Sequence, residues 1–249
     1  MKLIKKFKSS NYDNRKNNKI IFIIIHYTAL NNYSEAIKYL CDPINKVSCH
    51  FLISQNGDVF NLVNEKKRAW HAGVSFWDGH IDLNSVSLGI ELDFSYKNSN
   101  YKYSNKMIKS LITLLKKLKK KYKIKNYNIL GHSDIAPLRK IDPGAKFPWK
   151  RLSEEDITFD PLKYKNILKI DIRKWFFKNK INTNKKISLF ILSYIGYDLS
   201  AVKKNNKLFF KIIKAYQSHY VQNNCNGKLD KLTLKIMMSH FLNKILTKI

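Results

Sequence analysis

Between Gly131 and Gly144 the sequence places one imidazole, His132, one lysine, Lys140, and two carboxylates, Asp134 and Asp142, directly after a strand-like run at residues 127–130. A second apolar run, at residues 21–25, also ends on a histidine, His26. Two strands that each deliver an imidazole are the beginnings of a metal site. A catalytic zinc site takes three protein ligands, commonly histidine and carboxylate, and leaves a fourth position open to water. His26 and His132 would fill two of the three. The third is open between Asp134, which shares the face of His132 if the strand continues, and Asp142, whose carboxylate is aimed by the turn pair Pro143-Gly144. Histidines this far apart lack the short spacing of a helical metal motif. Two strand-end histidines held by backbone groups are the structural alternative.

Other side chains could work beside such an ion. Glu91 interrupts the apolar run Ser87-Leu88-Gly89-Ile90-Glu91-Leu92, and a charge in such a strand is unusual unless it faces a cleft. A carboxylate partly removed from water has its pKa raised toward neutrality and can serve as a general base; pairing with a buried lysine, or a place at a strand edge, is the structural explanation. Lys140, two residues before Asp142, could set positive charge beside an oxyanion on a substrate, or be one more surface lysine. His50 and His71 are further cleft candidates. Trp70, Phe76 and Trp77 would give a sugar or peptide ligand a flat apolar wall.

The elements that must position these residues follow from periodicity. Strands are expected at residues 19–26, 51–54, 58–63, 86–94 and 127–130, the second and third joined through Gln55-Asn56-Gly57, because Asn-Gly is a strong hairpin signal. Helices are expected at residues 34–40, capped by Ser34, and at 105–122, where Met107, Ile108, Leu111, Ile112, Leu114, Leu115 and Leu118 form an apolar stripe and lysines a solvated face. This alternation predicts an α/β fold, a mixed central β-sheet flanked by helices. A polar interval between Pro148 and Pro161 then announces a boundary. The expected organisation is a basic N-terminal arm at 1–18, a catalytic domain at 19–165 and a small three-helix module at 166–249, its helices at 187–197, 207–220 and 231–246.

The 249-residue chain has 44% hydrophobic residues, enough to bury a core, and a net charge of +29. Such charge would ordinarily point to a nucleic-acid binder. Yet of 47 basic residues only Arg15, Arg68, Arg139, Arg151 and Arg173 are arginine, the side chain suited to bidentate reading of phosphates and bases. The lysine surplus is spread over the whole chain together with asparagine and isoleucine, so no specific nucleic-acid partner is expected. It does imply a salt-sensitive attraction to polyanions such as carboxylate-rich polymers or anionic membranes. Cys41, Cys49 and Cys225 form no Cys-x-x-Cys pair and are expected as small buried apolar residues. The first ten residues lack the apolar core of a secretory signal, and no run approaches the roughly 18 apolar residues of a membrane span.

Five runs carry a resemblance: Ile23-Ile24-Ile25-His26-Tyr27-Thr28, Val47-Ser48-Cys49-His50-Phe51, Ala69-Trp70-His71-Ala72-Gly73, the strand around Glu91, and Gly131-His132-Ser133-Asp134-Ile135-Ala136-Pro137 continuing through Lys140-Ile141-Asp142-Pro143-Gly144 to Phe147-Pro148-Trp149. In this order they resemble the zinc-dependent N-acetylmuramoyl-L-alanine amidases related to AmpD and AmiD, whose fold is shared with peptidoglycan recognition proteins and a phage T7 amidase. The segment Ser10-Asn11-Tyr12-Asp13-Asn14-Arg15 resembles the entry of AmiD-like members. The resemblance implies His26, His132 and Asp142 as zinc ligands, choosing Asp142 over Asp134, with Glu91 as the acid/base and Lys140 as the oxyanion partner. It implies hydrolysis of the amide between N-acetylmuramic acid and L-alanine in peptidoglycan or muropeptides.

The C-terminal segment, through Ile195-Gly196-Tyr197-Asp198, Ala215-Tyr216-Gln217-Ser218-His219-Tyr220 and Gly227-Lys228-Leu229-Asp230, is similar to the helical peptidoglycan-binding module of AmiD-type enzymes. A non-catalytic peptidoglycan-binding protein is the first alternative, opposed by three filled ligand positions; a cationic nucleic-acid binder is the second. Family and module imply a bacterial protein of the cell envelope. Envelope members carry an export signal or a lipoprotein cysteine near the start, and neither is visible here, so the cytoplasm stays open.

Overall fold

In strand β3 (Phe22–Tyr27) the side chains alternate between two buried faces: Ile23 and Ile25 enter one apolar cluster and Phe22 and Ile24 another. A strand apolar on both sides belongs in the middle of a sheet covered twice, and that is where it lies. The computed structural model describes residues 2–16, 19–96, 102–163 and 172–246. Its main sheet holds β1 (Leu3–Ile4), β3, β4 (Phe51–Ile53), β5 (Val59–Asn61), β7 (Ser87–Leu92) and β8 (Ile129–Gly131) in the order β1-β5-β4-β7-β3-β8. All neighbours are parallel except β4 and β5, the antiparallel hairpin turned at Gly57. The expected mixed sheet flanked by helices is therefore found. Each strand is shorter than its apolar run, because the run continues into buried loop residues that no longer pair.

Around the sheet are α1 (Tyr33–Cys41), α2 (Leu83–Val86), α3 (Asn105–Tyr122), α4 (His132–Ile135) and α5 (Trp149–Glu154). Helix α3 occupies the range its apolar stripe predicts. The Ser104 hydroxyl caps it by accepting from the Met107 N–H at 3.1 Å, and the stripe packs on Ile23, Ile25, Leu88 and Ile90. Helix α1 is capped by Asn32, whose Oδ1 accepts from the Glu35 N–H at 3.0 Å, and not by Ser34, which lies inside the first turn.

The N-terminal segment is no free arm. β1 extends the sheet beside β5, and β2 (Tyr12–Asn14) pairs antiparallel with β6 (Lys67–Ala69). Buried Ser9 and Asn11 tie it to the backbone of Leu40, Asp42 and Val47. Short polar segments of this kind carry no periodicity from which pairing could be read.

Residues 172–246 hold five α-helices where three were expected: α6 (Ile172–Lys178), α7 (Asn184–Ile195), α8 (Ser200–Lys204), α9 (Phe209–Tyr220) and α10 (Lys231–Leu246). The expected domain boundary at 165/166 lies outside the described residues. The core of these helices is not separate: Phe176, Leu192, Tyr216 and Met237 share one apolar cluster with Phe22, Ile24 and Leu130 of the sheet. They are the second cover of β3. Of the cysteines only Cys49 is buried; Cys41 and Cys225 are half-exposed, a correction to the expectation for all three.

Candidate active site

Parallel strands β3, β7 and β8 end together, and their carboxyl ends are where an open α/β sheet leaves room for a ligand. The register sets His26 of β3 directly beside Glu91 of β7, and Ile25 beside Gly131, so that His132 follows as the chain turns into α4. Gly131 is needed there: a Cβ on it would stand 2.6 Å from the Pro143 ring. The Ser133 N–H donates to the Asp142 carbonyl at 2.8 Å, folding the loop so that Asp142 returns to His132.

His26 Nδ1, His132 Nδ1 and Asp142 Oδ2 converge, with separations of 3.0 Å between the two nitrogens, 3.2 Å from His26 to the carboxylate and 3.0 Å from His132 to it. The far nitrogens fix the tautomers. His132 Nε2 donates to the Ala72 carbonyl at 3.1 Å, so its Nδ1 presents a lone pair. On the other ring a relay runs outward. The Ser87 hydroxyl donates to the Leu83 carbonyl and accepts from His71 Nε2 at 3.2 Å, and His71 Nδ1 then accepts from His26 Nε2 at 3.1 Å.

Two imidazole lone pairs and a carboxylate thus face one point from buried side chains, an arrangement that calls for a cation. The two imidazoles hold the Asp142 carboxyl well below the usual carboxylate range although burial opposes this. Burial and the neighbouring His132 push His26 down to about 4, so it stays neutral. The separations are close to the roughly 3.3 Å between ligands around a small tetrahedral ion with bonds of about 2 Å. Among the described residues this is the one group of histidine, cysteine and acidic side chains with metal-binding geometry. Donor set and spacing both fit a metal.

The three donors open into a cavity of 390 Å³ that Glu91, Lys140, His71 and Tyr27 also line. Glu91 keeps some exposure as a residue, but its Oε2 is enclosed and has no hydrogen-bond partner among the described residues. Burial, with Asp142 adding to it and Lys140 opposing, pushes its carboxyl up to about 8. An unpartnered buried carboxylate at the floor of a cavity has its lone pairs free for a proton.

The remaining candidates separate. His71 lines the cavity but is held in the relay, its ring lying over Gly89, where a Cβ would come within 2.3 Å. His50 is fully buried: Nδ1 accepts from the Gly89 N–H and Nε2 faces the Lys67 carbonyl, each at 3.0 Å. Trp77 is 2% exposed and meets Tyr197 edge-on in the core under the C-terminal helices. Trp70 is half-buried and outside the cavity. The expected apolar ligand wall of Trp70, Phe76 and Trp77 does not line the cavity, and His50 is no cleft residue; aromatic residues near a site in sequence serve the core as readily as a ligand. Asp134 faces away from the cavity. It caps the Gly131 N–H at 2.7 Å and takes hydrogen bonds from Tyr197 and His219.

Two contributors had no signal of chemistry in the sequence. Ser87 ends the relay, and the Arg139 guanidinium spans the Ala72 and Val74 carbonyls, each at 2.8 Å, behind His132. Arg15, from the entry segment, spreads over the carbonyls of Glu65, Asn84, Ser85 and Ser87.

Comparison with known proteins defines the class. The family model described as N-acetylmuramoyl-L-alanine amidase matches residues 16–145. The chain belongs to this family and is an amidase. Among individual relatives, it is 33% identical over 238 residues to the N-acetylmuramoyl-L-alanine amidase AmiD of Escherichia coli, covering 88% of this chain and 81% of AmiD. It is 34% identical over 166 residues to the 1,6-anhydro-N-acetylmuramyl-L-alanine amidase AmpD of Haemophilus influenzae, covering 59% of this chain and 89% of that one. The crystal structure of AmpDH3 from Pseudomonas aeruginosa superposes with a TM-score of 0.77 at 30% identity, over 93% of this chain and 94% of that one.

Proposed function

We propose that the chain hydrolyses the amide between the lactyl group of N-acetylmuramic acid and the L-alanine of the stem peptide, with zinc held by His26, His132 and Asp142. The observation that carries this reading is the convergence of two imidazole lone pairs and a carboxylate beside an unpartnered, desolvated Glu91. AmiD has been solved in complex with the substrate anhydro-N-acetylmuramic acid-L-Ala-D-gamma-Glu-L-Lys, which supports a muropeptide as the ligand here.

Zinc, when bound, acts as a Lewis acid toward the carbonyl and makes water acidic enough to attack near neutral pH. Glu91 takes the proton of the attacking water, a role for which no donor among the described residues competes at its Oε2, and returns the proton to the departing amine. The Lys140 ammonium, on the wall of the same cavity, faces the oxyanion of the tetrahedral species and offsets its charge. His71 and Ser87 keep His26 in the tautomer whose Nδ1 is free, and the Ala72 carbonyl does the same for His132. The work belongs to bacterial cell-wall turnover, and we place it in the envelope.

Incubation with sacculi and with anhydro-muropeptides, followed by mass spectrometry, tests the reading. Release of intact stem peptides that stops with a chelator and returns with zinc is the expected outcome. Glu91→Ala should lose roughly 10²–10⁴ in rate while still binding zinc. Full activity of that variant on purified muropeptides removes Glu91 from the mechanism.

A further inference from the structure

We propose that Gln222 and Tyr103 are positioning residues for Asp142: from opposite sides they seat the segment that carries it, so that the C-terminal helices complete the metal site. This rests on the metal reading above and deepens it.

The three metal-facing side chains are not held equally by the backbone. His26 lies in β3, which is paired on both sides, by β7 and by β8. His132 opens α4. Asp142 has neither support, because residues 140–148 lie in no helix or strand. Pro143 and Pro148 interrupt that stretch, and a proline has no N–H to give to a ladder. Where Asp142 sits is therefore decided by what satisfies the carbonyls around it.

The loop itself supplies two of the donors. The Ser133 N–H donates to the Asp142 carbonyl at 2.8 Å and the Phe147 N–H to the Gly144 carbonyl at 3.1 Å. Two side chains from outside the loop meet three more carbonyls. The Tyr103 hydroxyl donates to the Pro143 carbonyl at 2.8 Å. Gln222 Nε2 donates to the Ala145 carbonyl at 2.7 Å and to the Phe147 carbonyl at 2.6 Å. A primary amide has two N–H bonds on one nitrogen, and both are used here on carbonyls two residues apart.

The two donors are themselves fixed, and by different parts of the fold. Tyr103 stands just before α3, its ring stacked on Phe94 with centroids 4.1 Å apart and edge-on to Phe147 at 5.4 Å. Burial pushes its phenol well above the ordinary value, so the hydroxyl keeps its proton and donates. Gln222 opens the short 3₁₀ turn Gln222–Asn224 directly after α9. One anchor thus belongs to the sheet side of the site and the other to the C-terminal helices. Neither side chain lines the metal-site cavity, so both act on the metal through the backbone of residues 143–147.

The test is metal binding by the full chain, measured without turnover. Tyr103→Phe removes one oxygen, and Gln222→Met keeps the length of the side chain but neither N–H. Each should raise the zinc Kd roughly tenfold in competition with a chromophoric chelator, and the visible absorption of bound Co(II) should change in each, since a displaced carboxylate alters the ligand field. Ser239→Ala is the control for stability alone: its buried hydroxyl donates to the Pro161 carbonyl, a bond of the same kind between α10 and a segment remote from the metal loop. That variant should lower the thermal midpoint of the metal-free protein while keeping wild-type zinc affinity and cobalt spectrum. Wild-type affinity and spectrum in the double variant Tyr103→Phe/Gln222→Met overturn the proposal. An equal loss of affinity in Ser239→Ala overturns it too, because the effect would then be stability and not position. A wild-type protein that binds neither zinc nor cobalt overturns the metal reading itself.

Discussion

Asp134 Oδ2 lies 2.7 Å from His219 Nδ1, so the loop that carries His132 and Asp142 is hydrogen-bonded to helix α9 through a side chain with no exposure to solvent. The same carboxyl accepts from the Tyr197 hydroxyl at 2.7 Å, and His219 stacks on Trp149 with ring centroids 3.7 Å apart. Two aspartates of one loop are thus turned in opposite directions, Asp142 into the cavity and Asp134 into the seam with the C-terminal helices.

A buried acceptor that loses a donor costs about 1–3 kcal/mol, and more when the acceptor is charged. His219→Ala should lower the thermal midpoint by several degrees and Tyr197→Phe by less. Because the loop also holds two of the three metal-facing side chains, His219→Ala should weaken metal binding at an atom that α9 never touches. Calorimetry with and without added zinc checks both effects; an unaltered midpoint would show that the contact stabilises nothing.

Glu91 makes the metal-free protein sensitive to pH in a defined direction. Its carboxyl titrates at about 8 when folded against an ordinary value of 4.5, so over that interval the folded state holds a proton that the unfolded chain has released. Stability therefore falls as pH rises from 4.5 to 8. His26 and His50, pushed by burial down to about 4 and about 3, act oppositely, but only below the ordinary histidine value of 6.5. Between pH 6.5 and 8 the Glu91 contribution stands apart, with a slope of at most about 1.4 kcal/mol per pH unit. Urea unfolding of the chelator-treated protein should show this decline, and Glu91→Gln should flatten it. An identical slope in the variant would place the proton elsewhere.

His71 sets the tautomer of His26 without reaching the donor cluster itself. Removing an outer partner of a metal-binding histidine typically costs about 10–100-fold in affinity, and His71→Ala should weaken zinc by that amount. Gly89→Ala should act in the same direction, since its Cβ would meet the His71 ring. Competition against a chromophoric chelator measures both. Wild-type affinity in both variants would mean that His26 holds its tautomer by other means.

Much of the site was legible because its residues follow strands. An apolar run ending on His26, an acidic residue interrupting the run around Glu91, and a histidine after a third run all announce a sheet whose edge does chemistry, and α3 could be placed by its stripe. What the residue types alone left open were choices between chemically equal side chains. Asp134 and Asp142 are both loop carboxylates near His132; the family resemblance chose Asp142, and the bond from the Ser133 N–H to the Asp142 carbonyl, with Gly131 against Pro143, is the contact that turns it inward. His50 and His71 likewise read as cleft residues and Trp77 as part of a ligand wall. One is hydrogen-bonded within the sheet, one supports His26 and one is core.

By itself the sequence determined the α/β class, the family and the set of side chains able to face a metal, because strand periodicity and motif order are local properties of the chain. Tertiary structure alone decided that the N-terminal segment adds strands and that the C-terminal helices form the second cover of β3 rather than a module with its own core. It alone joined those helices to the loop that carries His132 and Asp142, through Asp134 and His219. Those outcomes depend on contacts between residues far apart in the chain, such as Tyr12 with Ala69 and Tyr197 and His219 with Asp134, and no local pattern of polar and apolar residues encodes which distant partner will satisfy a buried group.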